Sequence, residues 1–223
     1  KTGRFELLCE ELCGVAHYTM RGYIEVDSAQ DYQQWLSKQR TYSQHLAAQQ
    51  GDVAQGRQLF AACASCHGVN GEGNEQFNAP RLAGLSAWYL TRQLNYYREK
   101  VRGSDENDPY GQQMTAMVAT LTDQSAVNNV VAYIKSLSAP ELTSANQQTS
   151  SSGQQLFRHC AYCHGVNAQG NYAMNAPKLA GQHGWYLKRQ LEHYQQGIRG
   201  RHPQDLYGSQ MILMSKLLPD EQA

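Results

Sequence analysis

Nothing in the 223-residue chain approaches the roughly eighteen consecutive apolar residues that cross a bilayer. Neither sign of charge is in excess, because 19 Lys and Arg stand against 19 Asp and Glu. The chain therefore lacks the broad basic footprint of a nucleic-acid or anionic-membrane binder, and no nucleic-acid partner is expected. The N-terminus has neither an initiating methionine nor the basic-then-apolar pattern of a secretion signal. It opens on KTGRFELLCE, which reads like the interior of a strand-rich domain, so a fragment is expected. A disulfide framework is disfavoured although six cysteines are present, because they fall into three close pairs: Cys9 and Cys13, Cys63 and Cys66, Cys160 and Cys163. Spacing this regular points to ligation or covalent attachment.

What the chain does have is an internal repeat, and a repeat fixes the architecture before any single element does. Cys63 to Cys160 is an offset of 97 residues. At that offset, without a gap, Cys66, His67, Pro80, Leu82 and Gly84 fall on Cys163, His164, Pro177, Leu179 and Gly181. Downstream, Trp88, Tyr89, Leu90, Arg92, Gln93 and Leu94 fall on Trp185, Tyr186, Leu187, Arg189, Gln190 and Leu191. Met114 and Met117 fall on Met211 and Met214.

The repeat starts near Gly56 and Gly153, after an unrelated segment. The expected organisation is therefore a segment at 1–40, a linker at 41–53, a first unit at 54–138, a polar linker at 139–152 and a second unit at 153–223 that stops before its final helix. Apolar spacing predicts helices over 54–63, 87–100 and 123–137, the last capped by Thr122 or Asp123. Residues 22–27 alternate as a strand, and 31–38 suit one short helix. The predicted class is mainly α, with a small β portion in front.

CASCH at 63–67 and CAYCH at 160–164 each match the haem c attachment sequence. Two thiols three residues apart on a helical turn reach the two vinyl groups of one porphyrin, and the adjoining histidine offers the iron its proximal nitrogen. A zinc half-site or a redox dithiol also uses C-x-x-C. Zinc needs further ligands at suitable spacing, and a thioredoxin-like dithiol needs a strand-helix setting that this region lacks.

Both units resemble class I cytochromes c, and the tandem array resembles dihaem cytochromes. That resemblance implies two haems c bound by Cys63, Cys66, His67, Cys160, Cys163 and His164. In the family a methionine ligand lies eight residues before the Ser or Thr of an L-S/T-D signature. Here Leu121-Thr122-Asp123 points back to Met114; Leu218-Pro219-Asp220, with Pro in the middle place, points to Met211. Met117, Met214 and Met174 are then expected to pack in the core. His/Met ligation raises haem potential and suits electron transfer. Pro80 and Pro177 are expected to accept a hydrogen bond from the proximal histidine rings through their carbonyls. Tyr89, Arg92, Tyr186 and Arg189 are candidates for haem propionates, with a solvated helix face as the alternative. His159, His183, His193 and His202 are expected at the surface or in packing.

Residues 9–20 read C-E-E-L-C-G-V-A-H-Y-T-M. Soft thiolates with imidazole and thioether on one loop suit copper. The loop resembles the binuclear CuA site of cytochrome c oxidase subunit II, and residues 20–38 resemble the last strand and helix of that cupredoxin domain. The resemblance implies bridging by Cys9 and Cys13, ligation by His17 and Met20, and a main-chain carbonyl from Glu11. A second ligand histidine would precede Lys1, so the site is expected to be incomplete in this fragment. The Glu11 carboxylate is implied as a magnesium ligand at the boundary with the catalytic subunit. Nitrous oxide reductase carries a similar loop with Trp in the Glu11 place.

The expected function is electron transfer within a haem-copper oxidase. Electrons would pass from a periplasmic donor, such as a small cytochrome c or a quinol-cytochrome c reductase, through two haems to CuA and on to catalytic subunit I. The intact protein would be anchored by helices upstream, on the periplasmic face of a bacterial inner membrane, and this chain alone would catalyse nothing. A freestanding dihaem shuttle explains residues 54–223 equally well. A dihaem peroxidase would need one haem able to open its coordination, and a gas sensor would bind carbon monoxide tightly.

Overall fold

A computed structural model describes residues 1–8, 21–39, 41, 50–138 and 151–218. The proposed copper ligands Cys9, Glu11, Cys13, His17 and Met20 lie outside the described residues, as do Pro219 and Asp220. The chain divides into two compact units, Lys1–Gln49 and Gln50–Ala223.

In the first unit, β1 (Gly3–Leu8) pairs antiparallel with β2 (Arg21–Val26), from Gly3 opposite Val26 to Leu8 opposite Arg21. Helix α1 (Ala29–Ser37) follows, its N-terminus capped by Ser28, whose Oγ accepts from Asp31 N at 3.1 Å. The strand and helix predicted here are present within a residue or two at each end. Phe5, Leu7 and Ile24 are all exposed. A two-stranded ribbon with one helix occurs in many folds and does not identify a cupredoxin.

The second unit holds both repeats. The first contains α2 (Val53–His67), α3 (Ala87–Arg98), α4 (Pro109–Val118) and α5 (Gln124–Ser136). The second contains α6 (Ser151–His164), α7 (Gly184–Gln196) and α8 (Leu206–Ser215). Asp52 caps α2 by accepting from Ala54 N and Gln55 N, and Asp123, not Thr122, caps α5. Helix α2 runs through the cysteine motif where the apolar spacing had ended it at 63. α4 and α8 carry little periodic apolar signal and were not predicted, but each follows an aspartate whose carboxylate accepts from the N-H three residues on, Gly111 or Gly208.

The core lies in the first repeat. Val127, Val130, Val131 and Ile134 recur at helical spacing on α5 and close over Phe60, Leu90 and Leu121. Helices α2 and α5 approach closely because position 56 is glycine: a Cβ there would collide with the Asn129 carbonyl oxygen and lie 2.9 Å from Tyr133 Cβ. Both obstacles belong to a packed helix and yield poorly. Gly56→Ala is therefore expected to cost roughly 1–3 kcal/mol of stability, read as a lower urea midpoint with an unchanged slope. In the second repeat no helix equivalent to α5 is present among the described residues. Phe157, which matches Phe60, is accordingly part-exposed where Phe60 is buried.

Candidate functional site

Each cysteine motif closes a helix. Cys63, Cys66 and His67 end α2, and Cys160, Cys163 and His164 end α6. Gly68 and Gly165, with φ of 81° each, then turn the chain out of the helix in a conformation that favours glycine. The following loop folds back identically in both repeats. His67 O accepts from Gly73 N and His164 O from Gly170 N, while Asn74 pairs with Ala79 and Asn171 with Ala176.

This loop sets the imidazoles. His67 Nδ1 lies 2.8 Å from Pro80 O, and His164 Nδ1 lies 2.7 Å from Pro177 O. A carbonyl can only accept, so Nδ1 carries the proton and Nε2 keeps its lone pair for a metal. Burial lowers the pKa of both histidines and outweighs the opposite pull of the proline carbonyls, which favours the neutral, ligating form. Burial also pushes the Cys63 and Cys160 thiols up.

Both motifs open into one connected cavity of about 760 Å³. Its wall includes Cys63, Cys66, His67, Cys160, Cys163 and His164, and α4 and α8 bring Met114 and Met211 to it. Met117 and Met214 line it too, so lining alone does not select the ligand methionine. Met174 is half exposed and is not the core residue expected.

The residues expected to hold propionates line the cavity and also tie the repeats together. Arg92 of α3 donates to Asn175 Oδ1 and O at 3.1 and 3.2 Å; Arg189 of α7 donates to Asn78 Oδ1 and O at 2.6 and 2.9 Å. The two contacts exchange under the repeat offset, and each asparagine stands at positive φ, Asn175 at 52° and Asn78 at 53°. The hydroxyls of Tyr89 and Tyr186 accept from Arg199 and Arg102. None of these four is on a solvated helix face.

His183 and His193 also bridge the repeats: His183 Nε2 lies 2.8 Å from Glu72 O, and His193 Nδ1 lies 4.0 Å from Asp108 Oδ2. Gln182 clasps the backbone of residue 81, accepting from its N-H at 3.0 Å and donating to its carbonyl at 2.9 Å. Sequence reasoning missed Gln182, Arg102 and Arg199. The arginines were findable, since Arg199 follows Arg102 at the repeat offset.

These features fit a thioether-bound porphyrin at each motif: paired thiols on the wall of a cavity, an imidazole with a free Nε2, and methionines lining the same space. The cytochrome c family matches at residues 53–138 and again at 150–223. The chain belongs to the cytochrome c family. A cytochrome c4 from Azotobacter vinelandii is 32% identical over 168 residues, covering 69% of this chain and 77% of that protein. The crystal structure of reduced recombinant cytochrome c4 from Pseudomonas stutzeri superposes with a TM-score of 0.59 at 30% identity, covering 76% of this chain and 92% of that one. An alternative cytochrome c oxidase subunit 2 from Bradyrhizobium diazoefficiens is 49% identical over 43 residues, only 19% of this chain and 16% of that protein. The tandem, mainly helical cytochrome c arrangement is thus established. The copper domain and the oxidase assignment are not, since the likeness to cytochrome c4 spans far more of the chain.

Proposed function

We propose that residues 50–218 are a two-haem electron carrier of the cytochrome c4 kind. The observation that carries this reading is the repeated C-x-x-C-H, closing a helix twice, with both histidine rings held by a proline carbonyl beside one cavity. Cys63, Cys66, Cys160 and Cys163 take the thioether positions, His67 and His164 the proximal positions, and Met114 and Met211 the distal ones. Haem c, when bound, supplies an iron that cycles between ferric and ferrous by one electron. The chain's own contribution is to hold each imidazole neutral and oriented, to shield the centre with apolar walls, and to fix the two repeats through the exchanged Arg92–Asn175 and Arg189–Asn78 contacts. Covalent haem attachment in bacteria takes place outside the cytoplasm, which favours a periplasmic setting. No helix among the described residues is long and apolar enough to cross a membrane.

A second reading is favoured by one specific feature, the copper-ligand spacing of Cys9, Glu11, Cys13, His17 and Met20. In it the carrier is an extension of a haem-copper oxidase subunit II. It takes electrons from a small cytochrome c or a quinol-cytochrome c reductase and passes them to CuA and catalytic subunit I, with membrane helices upstream and magnesium at Glu11. Metal analysis of the intact gene product, with any sequence upstream of Lys1 included and made in a host that attaches haem c, separates the two. Two haems by pyridine haemochrome and no copper support the freestanding carrier. Two haems with a mixed-valence copper resonance support the oxidase subunit. Fewer than two haems defeat both.

A further inference from the structure

Arg102 and Arg199 hold the same place in the two repeats, and the fold brings them together. Arg102 donates from Nη1 to Gln93 Oε1 at 2.7 Å and from Nη2 to Gln190 Oε1 at 2.8 Å. Arg199 donates from Nη1 to the same Gln190 Oε1 at 2.7 Å and from Nη2 to the same Gln93 Oε1 at 3.0 Å. Two guanidiniums and two amide oxygens form a closed ring, to which each repeat contributes one of each. The hydroxyls of Tyr186 and Tyr89 accept from its outer edges at 3.1 and 3.4 Å.

This ring is buried, with the arginines 7% and 8% exposed. Among the described residues neither arginine forms an ion pair with a carboxylate. The Nε atoms of both are buried and have no hydrogen-bond partner. Two like charges that share neutral acceptors in a dry site are strongly disfavoured by desolvation and repulsion. Tyr97 and Tyr194, whose rings lie 4.8 Å from the guanidinium carbons, supply only partial compensation. The wall of the cavity that both arginines line also carries the buried carboxylates of Asp108 and Asp205, but neither forms an ion pair with Arg102 or Arg199 among the described residues. Further negative charge brought by whatever fills the cavity is therefore favoured. Haem c carries two propionate carboxylates, and the two free Nε-H groups are donors suited to carboxylate oxygens.

We infer that Arg102 and Arg199 act as one shared cation cluster that raises the reduction potentials of both haems together, so that a charge change in either repeat moves both centres. The inference rests on the two-haem reading. A fixed cation beside an iron favours uptake of an electron, and the shared glutamines leave neither arginine belonging to one repeat. The field already crosses the boundary: burial alone would raise the pKa of Tyr186, yet Arg102 of the other repeat, then Arg199, draw it below the ordinary phenol value.

The test is a spectroelectrochemical titration of the dihaem protein, resolved into two one-electron waves. Gln93→Glu preserves the side-chain shape and sets a carboxylate against both guanidiniums, so it is compatible with folding. Both waves should move to lower potential. Arg102→Met should lower both as well, whereas Arg102→Lys, which retains the charge, should leave them near the parent values. Movement of one wave only, or of neither, in Gln93→Glu overturns the inference. So does an Arg102→Lys protein that falls as far as Arg102→Met, because the role would then be one of shape. A Gln93→Glu protein that keeps two covalent haems keeps the two-haem reading whatever its potentials do, and a parent protein without them removes that reading itself.

Discussion

Replacing Cys63 and Cys66 together by alanine should lower covalently bound haem from two per chain to one, while the second repeat keeps its own. The thioether bonds need both sulfurs of one helical turn, and those of the second repeat sit on a separate helix, α6, behind a separate histidine and loop. The effect on stability should be larger than the loss of two sulfur atoms implies. His67 is almost fully buried with its Nδ1 committed to Pro80, so without a metal its Nε2 is a polar atom facing an apolar cavity. The attached haem stays on the unfolded chain, but only the folded state buries its apolar faces in the cavity, and that stabilisation disappears with the haem. Haemochrome yield and intact mass measure the first effect, and the thermal midpoint measures the second. Two haems retained in the double variant would sink the assignment of these thiols.

The loss should also propagate. Asn78 and the Glu72 carbonyl belong to the loop that His67 anchors, and they receive Arg189 and His183 from the second repeat. A loosened first loop therefore releases contacts that position α7. The reciprocal variant, with Cys160 and Cys163 replaced, should disturb the first repeat less. Arg92 would lose Asn175, but the valine-rich face of α5 over Phe60 is independent of the second repeat.

How much of this was legible in the sequence depended on the range of the interaction. The haem motifs are local, so the cysteine and histidine positions could be read directly; the roles of Pro80 and Pro177 came from the resemblance to cytochromes c, and the Nδ1 distances agree with them. The capping of α5 by Asp123 was also local. Helices α4 and α8 were missed because their apolar residues face a cavity rather than a core and so show no clean period, although Asp108-Pro109 is a helix-start signal. The partners of Arg92 and Arg189 were not readable, because they lie 83 and 111 residues away along the chain. The exchange itself was implied all the same: a sequence that repeats both the arginine and the asparagine at one offset permits two equivalent contacts if the repeats face each other. Gln182 and His183 break that symmetry, since Leu85 and Ser86 stand in their places, and no repeat-based argument predicts a contact made once.

Met114→Ala should open the first iron to exogenous ligands and lower its potential, and Met117→Ala should do neither. Both residues lie on α4 and both line the cavity. They differ in exposure, for Met117 is exposed at 37% whereas Met114 is part-buried, and a thioether that stays bound must be shielded from competing water. Removing a sulfur ligand withdraws the preference for ferrous iron that His/Met ligation provides. The ferrous protein should then bind carbon monoxide at one haem per chain, and the methionine-to-iron charge-transfer absorption should fall by half. Met211→Ala and Met214→Ala should repeat the pattern on α8. Carbon monoxide binding by Met117→Ala with none by Met114→Ala would reassign the distal ligand by one helical turn and leave the two-haem carrier in place. Carbon monoxide binding by the unaltered protein would instead mean that one iron is already open, which a pure electron carrier does not need and a peroxidase or gas sensor does.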